Sequence, residues 1–319
     1  MNSKLNGVEM LRTAFLFPGQ GSQAVGMGKD FYDLSPHARE IFLSADETLG
    51  FKISKLCFEG PEEELKLTHN TQPALLTVSF IAYALLGKEP QIAAGHSLGE
   101  YSALVAAGSL SFEDAILLVH KRGKYMQEAV PVGEGAMAAV LGTGYMEIEL
   151  ALKKIEKGTV EIANWNSQEQ VVIAGDRETV KEALALINPL RSVILPVSAP
   201  FHCRLMKSAE EKLSYDLDQV EFKDLRFPII TNVDAKIIHK GEQAKDALKR
   251  QVTRPVLWFS SIEKLGEEKM DLFVELGPGR VLSGLAKRIC REWASPPRLV
   301  NAEDPSGLEK VREALSGLF

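Results

Sequence analysis

The sequence predicts an α/β fold in which a parallel sheet carries helices on its faces and a small ferredoxin-like unit is inserted into the chain. Three observations carry that reading. Short, continuously apolar runs such as "TAFLF" (13–17) and "QIAAG" (91–95) end at Pro-Gly or Gly, as strands buried on both faces do. Helical patterns follow these runs, and strands alternating with helices indicate parallel pairing. The middle of the chain then changes rhythm to β-α-β-β-α-β, the split motif of a ferredoxin-like unit.

Taken in order, "TAFLF" is the first strand, and helical periodicity appears over 38–49 and 72–86. "QIAAG" is the next strand. The stretch "SLGEYSALVAAG" (97–108) after it is helix-like, with Gly108 placed to end it. A further helix starts at Ser111, where Ser-Phe-Glu-Asp approximates a capping box, and runs through Ile116, Val119 and Met126. The changed rhythm comprises a strand at 136–141, an amphipathic helix at 146–157, a hairpin of 160–166 with 170–175, a helix at 177–187 and a strand at 192–197. A helix from Cys203, a strand "FPIITNV" (227–233), a polar helix ending near Arg250 and "DLFVELGPG" leading into another helix then rejoin the first pattern. The predicted organisation is an N-terminal extension over 1–12, a larger α/β domain over 13–132 and 200–319, and an inserted subdomain over 133–199.

Composition narrows the function classes. A chain of 319 residues suits one large domain plus a smaller one. The formal net charge of -6 argues against nucleic acid as the main partner, since phosphate contacts need clustered Lys and Arg. Cys57, Cys203 and Cys290 lie far apart, which fits a reducing compartment and provides neither a disulfide framework nor a zinc site. The first residues lack the apolar core of a signal peptide, and no apolar run reaches membrane-spanning length. The expectation is a soluble, cytoplasmic protein without a metal.

The chemistry centres on "AGHSLGE" (94–100), whose Gly-x-Ser-x-Gly core lies between a predicted strand and a predicted helix. That context is the one a nucleophile elbow requires. The tight turn would lift Ser97 Oγ clear of the sheet edge and leave the Leu98 N–H at a helix start, free to stabilise an oxyanion. A serine nucleophile needs a base. His37 and His239 lie in polar surroundings, His69 in a polar turn, and His120 on a helix where packing is the simpler role. His96 adjoins Ser97 on a sharp turn, where neighbours diverge, so it reads as shaping the pocket. His202, in "PVSAPFHCRLM", follows a strand and a proline turn and is the candidate base, with a structural histidine as the competing reading. Over a hundred residues follow His202, which speaks against an ordinary lipase or esterase. Arg122 borders the apolar stripe of its helix; spacing leaves open whether it is a snorkelling surface arginine or a fixed guanidinium gripping a carboxylate.

The stretches "FLFPGQGSQ" (15–23), "TQPALLTVS" (71–79), "GHSLGEYSALVAAG" (95–108), "RGKYMQEAVP" (122–131), "NSQEQVVIAG" (166–175), "PVSAPFHCRLM" (196–206), "QVTRPVLW" (251–258) and "ELGPGRVLSGL" (275–285) occur in one order along the chain. As an ordered set they resemble the malonyl-CoA:acyl carrier protein transacylase family of bacterial fatty acid synthesis. The resemblance implies an α/β-hydrolase-like domain with a ferredoxin-like insert. It also implies transfer of malonyl from malonyl-CoA to the phosphopantetheine thiol of acyl carrier protein, through a malonyl-serine ester. By resemblance Ser97 is the nucleophile and His202 the base. Gln20 contributes a backbone N–H to the oxyanion hole beside Leu98, and the Gln251 backbone carbonyl orients the histidine. Arg122 holds the malonyl carboxylate, Gln72 and Met126 line the pocket, and Phe201 accompanies malonyl rather than methylmalonyl choice.

No metal or bound cofactor is implied; the partners are acyl carrier protein and a coenzyme A thioester, and the family suggests a monomer. Carrier proteins are strongly acidic, so a local basic surface is expected, with Lys153, Lys154, Arg191, Arg204, Lys207, Lys249, Arg250, Lys287, Arg288 and Arg291 as candidates. Two departures stand out: "NSQEQ" lacks the Pro-Gly frequent in the family hairpin, and residues 1–12 have no family counterpart.

Overall fold

The computed structural model describes residues 11–197 and 199–316. The expected extension over 1–12 lies outside them apart from Leu11 and Arg12, as does Ser198 at one predicted junction of the insert. Ten strands, β1 (Thr13–Phe17), β2 (Ile92–Gly95), β3 (Gly135–Leu141), β4 (Val160–Ser167), β5 (Gln170–Asp176), β6 (Arg191–Ile194), β7 (Ile229–Ile230), β8 (Ile237–Ile238), β9 (Leu272–Leu276) and β10 (Arg298–Ala302), form two sheets among the described residues.

The larger sheet has the order β10-β9-β1-β2-β7-β8. Its pairs are parallel except at the edge, where β8 turns back antiparallel to β7. Every residue of β1 and β2 is buried, as expected of strands covered by helices on both faces. The run "FPIITNV" yields a two-residue strand rather than a full one. Its backbone groups leave the ladder: the Asn232 N–H donates to Glu100 Oε2 at 3.0 Å, and the Asn232 carbonyl accepts from the Leu257 N–H at 2.9 Å.

The smaller sheet is antiparallel throughout, in the order β4-β5-β3-β6. The helices Tyr145–Leu152 and Arg177–Ile187 cover one face and share a core with Ala138, Val140, Ile162 and Ile173. On the other face Met137, Ala139, Val172 and Ala174 join the core of the larger body. The Trp165 N–H donates to Val256 O and the Val256 N–H to Ala163 O, both at 2.9 Å, tying β4 to the segment after Gln251. A register shift in β4 between Ile162 and Asn164 falls at this tie.

Two helices carry Gln72 and Arg122, and they are joined by a side-chain bond to a main-chain carbonyl and by a close backbone contact. The first, Thr68–Leu86, begins four residues before the periodicity predicts and contains Pro73. Proline lacks the N–H that would bond to the carbonyl one turn earlier. That carbonyl, on His69, accepts instead from His120 Nδ1 at 2.8 Å. His120 belongs to the second helix, Phe112–Glu128, which Ser111 caps by accepting the Asp114 N–H at 3.0 Å. The two helices touch closely at Gly123, where a Cβ would lie 2.5 Å from His69 Cα.

Candidate active site

The site forms at the carboxyl ends of β1 and β2, in the middle of the larger sheet, where open α/β sheets place their ligand crevices. Gly95 ends β2 and Leu98 begins the helix Leu98–Ala106. A Cβ on Gly95 would sit 1.9 Å from the Gly99 backbone, and one on Gly99 would sit 2.0 Å from Phe17 O. Only glycine at both positions lets the helix start so close to the strand ends. The compressed turn puts Ser97 at φ 53° and ψ -104°, a conformation non-glycine residues rarely adopt.

Hydrogen bonds hold the turn in place. Asn232 Oδ1 accepts the Ser97 N–H at 2.6 Å, and Asn232 Nδ2 donates to Gly95 O at 2.7 Å. Gln251 Nε2 donates to Ser97 O at 3.0 Å. Ser97 Oγ lies 2.8 Å from His202 Nε2, and His202 Nδ1 lies 2.8 Å from Gln251 O. A carbonyl can only accept, so Nδ1 carries the proton and Nε2 presents its lone pair to the serine hydroxyl. The imidazole is buried, and burial, reinforced by the Arg122 charge, lowers its pKa to about 3. His202 is therefore neutral at physiological pH and able to take a proton.

Arg122 is 1% exposed, so its helix turns it inward rather than toward solvent. Nη1 donates to Gln72 Oε1 at 2.8 Å, while Nη2 donates to Gln251 Oε1 at 2.8 Å and to Ser97 Oγ at 3.0 Å. Its guanidinium lies over the Tyr101 ring, 5.6 Å from the centroid. All three acceptors are neutral. A buried cation bonded only to neutral groups is poised to take an anion, and the planar fork suits a carboxylate.

A cavity of about 110 Å³ opens over these groups, and Gln20, Gln72, Ser97, Leu98, Arg122, Met126, Phe201 and His202 all line it. Leu98 is the first helical residue, so its N–H has no acceptor within the helix. Gln251 stands behind the wall, bonded to both His202 and Arg122. Met137, Asn164, Leu195 and Val197 complete the lining from the smaller sheet and its exit. His96 also lines the cavity, its Nε2 held 2.8 Å from Asn166 Oδ1 and its ring beside Trp258.

Glu100, Asn232 and the asparagines 164 and 166 are the site residues that sequence reasoning misses. Glu100 is the telling one. It is fully buried, and burial pushes its carboxyl up to about 7 against the pull of Gln251, Asn232 and Arg122. A carboxylate directly after Gly-x-Ser-x-Gly, on a helix apolar elsewhere in "LGEYSALVA", is the signal that could have found it.

Six of the ten basic candidates, Lys153, Arg204, Lys207, Lys249, Arg250 and Arg291, are engaged in ion pairs with carboxylates. Arg191, Arg288 and Arg291 border a single hollow with residues 141, 142 and 167–170. Among the described residues no group of three or more His, Cys, Asp or Glu could hold a metal ion, and no helix is long and apolar enough to cross a membrane.

Fold and site together define an acyltransferase, and a family model described as an acyl transferase domain matches residues 14–302. The chain belongs to the malonyl CoA-acyl carrier protein transacylase family. The protein of that name from Bacillus subtilis (strain 168) is 46% identical over 314 residues, covering 96% of this chain and 98% of the relative. The structure of the Coxiella burnetii transacylase superimposes with a TM-score of 0.92 at 39% identity, covering 96% of this chain and 98% of that one. A malonyl-transacylase solved in complex with a type II PKS acyl-carrier protein superimposes with a TM-score of 0.90 at 42% identity, covering 96% and 99% of the two chains.

Proposed function

We propose that this chain transfers the malonyl group of malonyl-CoA to the phosphopantetheine thiol of acyl carrier protein, supplying fatty acid elongation. The observation that carries the proposal is that Ser97 Oγ is bonded at once to a neutral imidazole and to a buried guanidinium. One can activate the oxygen, and the other can hold a carboxylate on the acyl group beside it.

In this reading the malonyl carboxylate takes the Nη groups of Arg122 in place of Gln72 Oε1, Gln251 Oε1 and Ser97 Oγ. His202 Nε2 accepts the serine proton as Oγ attacks the thioester carbonyl. The N–H groups of Leu98 and Gln20 stabilise the oxyanion of the tetrahedral intermediate. As the intermediate collapses the C–S bond breaks, His202 returns its proton to the coenzyme A sulfur, and a malonyl ester remains on Ser97. The carrier-protein thiol then enters, gives its proton to His202 and attacks the ester. The proton returns to Ser97 Oγ as the malonyl thioester leaves. Gln251 O holds the Nδ1 proton throughout, filling the orienting role of an acidic third residue with less stabilisation of the imidazolium. Substrates supply the only phosphopantetheine arm, so the cycle needs neither a metal nor a bound cofactor.

The apolar side chains of Met126, Met137, Leu195, Val197 and Phe201 around the cavity favour transfer over hydrolysis by limiting room for water. Phe201 also limits the space for a branch on the acyl group. Residues 133–199 act as an inserted subdomain between 13–132 and 200–319, and Arg191, Arg288 and Arg291 at its edge are the basic groups best placed together for an acidic carrier protein. The reading is of a cytoplasmic enzyme acting as a monomer.

The test is a mass measurement after mixing with malonyl-CoA. A malonyl-sized adduct on Ser97 that discharges on addition of phosphopantetheinylated carrier protein is the expected result. An adduct lost to water at the same rate with or without carrier protein would show a hydrolase instead.

A further inference from the structure

Arg122 lacks a carboxylate partner, yet a buried cation without a countercharge is costly. A buried carboxyl, Glu100, is linked to it through one side chain. The Gln251 amide accepts from Arg122 Nη2 with its oxygen, at 2.8 Å, and donates from its nitrogen to Glu100 Oε2, at 2.8 Å. The amide dipole is thus aligned to favour a cation on one side and an anion on the other. Glu100 Oε2 also accepts the Asn232 N–H at 3.0 Å, while Oε1 is buried without a hydrogen-bond partner. A carboxylate held at one oxygen and bare at the other is stable as an anion only while a positive charge stands nearby.

We infer that Glu100 is the countercharge of Arg122 in the empty site, and that arrival of a substrate carboxylate at Arg122 is matched by uptake of one proton at Glu100. This rests on the malonyl reading above. In the empty site the pair is neutral overall. A malonyl carboxylate adds one negative charge and forms the closer pair with the guanidinium, leaving Glu100 as an excess buried anion. A proton from solvent restores neutrality, Oε1 being the oxygen free of donors. The other groups that face Glu100 point the same way. Asp234, from the turn after β7, disfavours its anion, and Tyr101, beside it on the same helix, is held in its neutral form by burial. Among the described residues, Arg122 is the cation acting on it. Glu100 touches no substrate atom in this scheme; it is a positioning residue that sets the charge of the carboxylate pocket through Gln251.

The experiment is calorimetric titration of the Ser97→Ala protein, which cannot form the ester, with malonyl-CoA and with acetyl-CoA in buffers of differing ionisation enthalpy. Above pH 8, malonyl-CoA binding should take up close to one proton per site, and the uptake should shrink as the pH falls through about 7, the value to which burial raises the Glu100 carboxyl in the empty site. Acetyl-CoA should take up none, and adding Glu100→Gln should abolish the malonyl-linked uptake. Infrared difference spectra of the Ser97→Ala protein supply a readout that needs no change at Glu100: a protonated-carboxyl band should appear with malonyl-CoA alone. Arg122-dependent malonyl-CoA binding with no proton uptake and no such band would overturn the inference while leaving the malonyl reading intact. Failure of Arg122→Ala to separate malonyl-CoA from acetyl-CoA would instead overturn the malonyl reading.

Discussion

Arg122 Nη2 donates to Ser97 Oγ at 3.0 Å, so in the empty site one oxygen is shared between the group that would fix the acyl chain and the group that would activate the nucleophile. In the proposed reading, a carboxylate that takes Arg122 Nη2 displaces this bond. On that reading a malonyl substrate would free the serine, whereas an acyl group without a carboxylate would leave the arginine on it.

Arg122→Ala should therefore separate two substrates rather than abolish catalysis. Removing the cation deprives malonyl of its partner, at a cost of roughly 3–5 kcal/mol for a broken buried pair, or on the order of 10² to 10⁴ in kcat/KM. Acetyl transfer should persist or rise, because Ser97 Oγ is released. Parallel kcat/KM measurements with both thioesters decide it, and an equal loss for both would remove the clamp.

The depressed histidine makes a pH prediction. With His202 at about 3 in the folded protein and 6.5 as its ordinary value, the unfolded chain binds the extra proton between those limits. This contribution to stability is complete above 6.5 and is lost as the pH falls toward 3. His202→Gln should flatten the decline in denaturation midpoint over that window. For the same reason, the rate of Ser97 acylation by malonyl-CoA should show no imidazole limb near 6.5 between pH 5 and 8. A rise in rate through 6.5 would show that His202 titrates normally, whereas protonation of Glu100 on malonyl binding would make the rate fall as the pH rises.

Gly95→Ala tests the elbow. The new Cβ would meet the Gly99 carbonyl group at 1.9 Å, a backbone contact that no side-chain rotation relieves. A loss of about 3 kcal/mol or more is expected, visible in chemical denaturation, together with loss of Ser97 labelling. Unchanged stability would mean that the strand-to-helix turn adapts.

Docking of an acidic carrier protein at Arg191, Arg288 and Arg291 should be sensitive to salt. Between about 0.1 M and about 1 M salt the Debye length shortens from about 10 Å to about 3 Å, so the KM for carrier protein should rise several-fold. Arg288→Ala should blunt that dependence. A salt-independent KM would place the docking surface elsewhere.

The legible parts of the site are those in which local sequence does the work. Gly95, Ser97 and Gly99 lie within five residues, and the strand before them and helix after them declare the turn. The burial of Arg122 is not legible, because a stripe-edge arginine snorkels or turns inward according to what packs over it. Asn232 and Gln251 reach Ser97 across 135 and 154 residues, a closeness set by the sheet order. The early start of the Thr68–Leu86 helix escapes notice because Leu67 supplies no capping side chain and Pro73 suits the first turn of a helix starting at Gln72. The helix Pro305–Ser316 also goes unpredicted, although Asp304 followed by Pro305 is a start signal.

A proline that most helices reject thus works as a rivet. Because Pro73 cannot bond to the His69 carbonyl, that carbonyl fastens the neighbouring helix through His120, and Gly123 lets the two backbones touch. The separation between the helix bearing Gln72 and the helix bearing Arg122 is set at this rivet, by the His120 imidazole on the His69 carbonyl and by the backbone contact at Gly123. Side chains lining the cavity can then be exchanged to suit a different acyl group while the guanidinium stays in its place beside the serine.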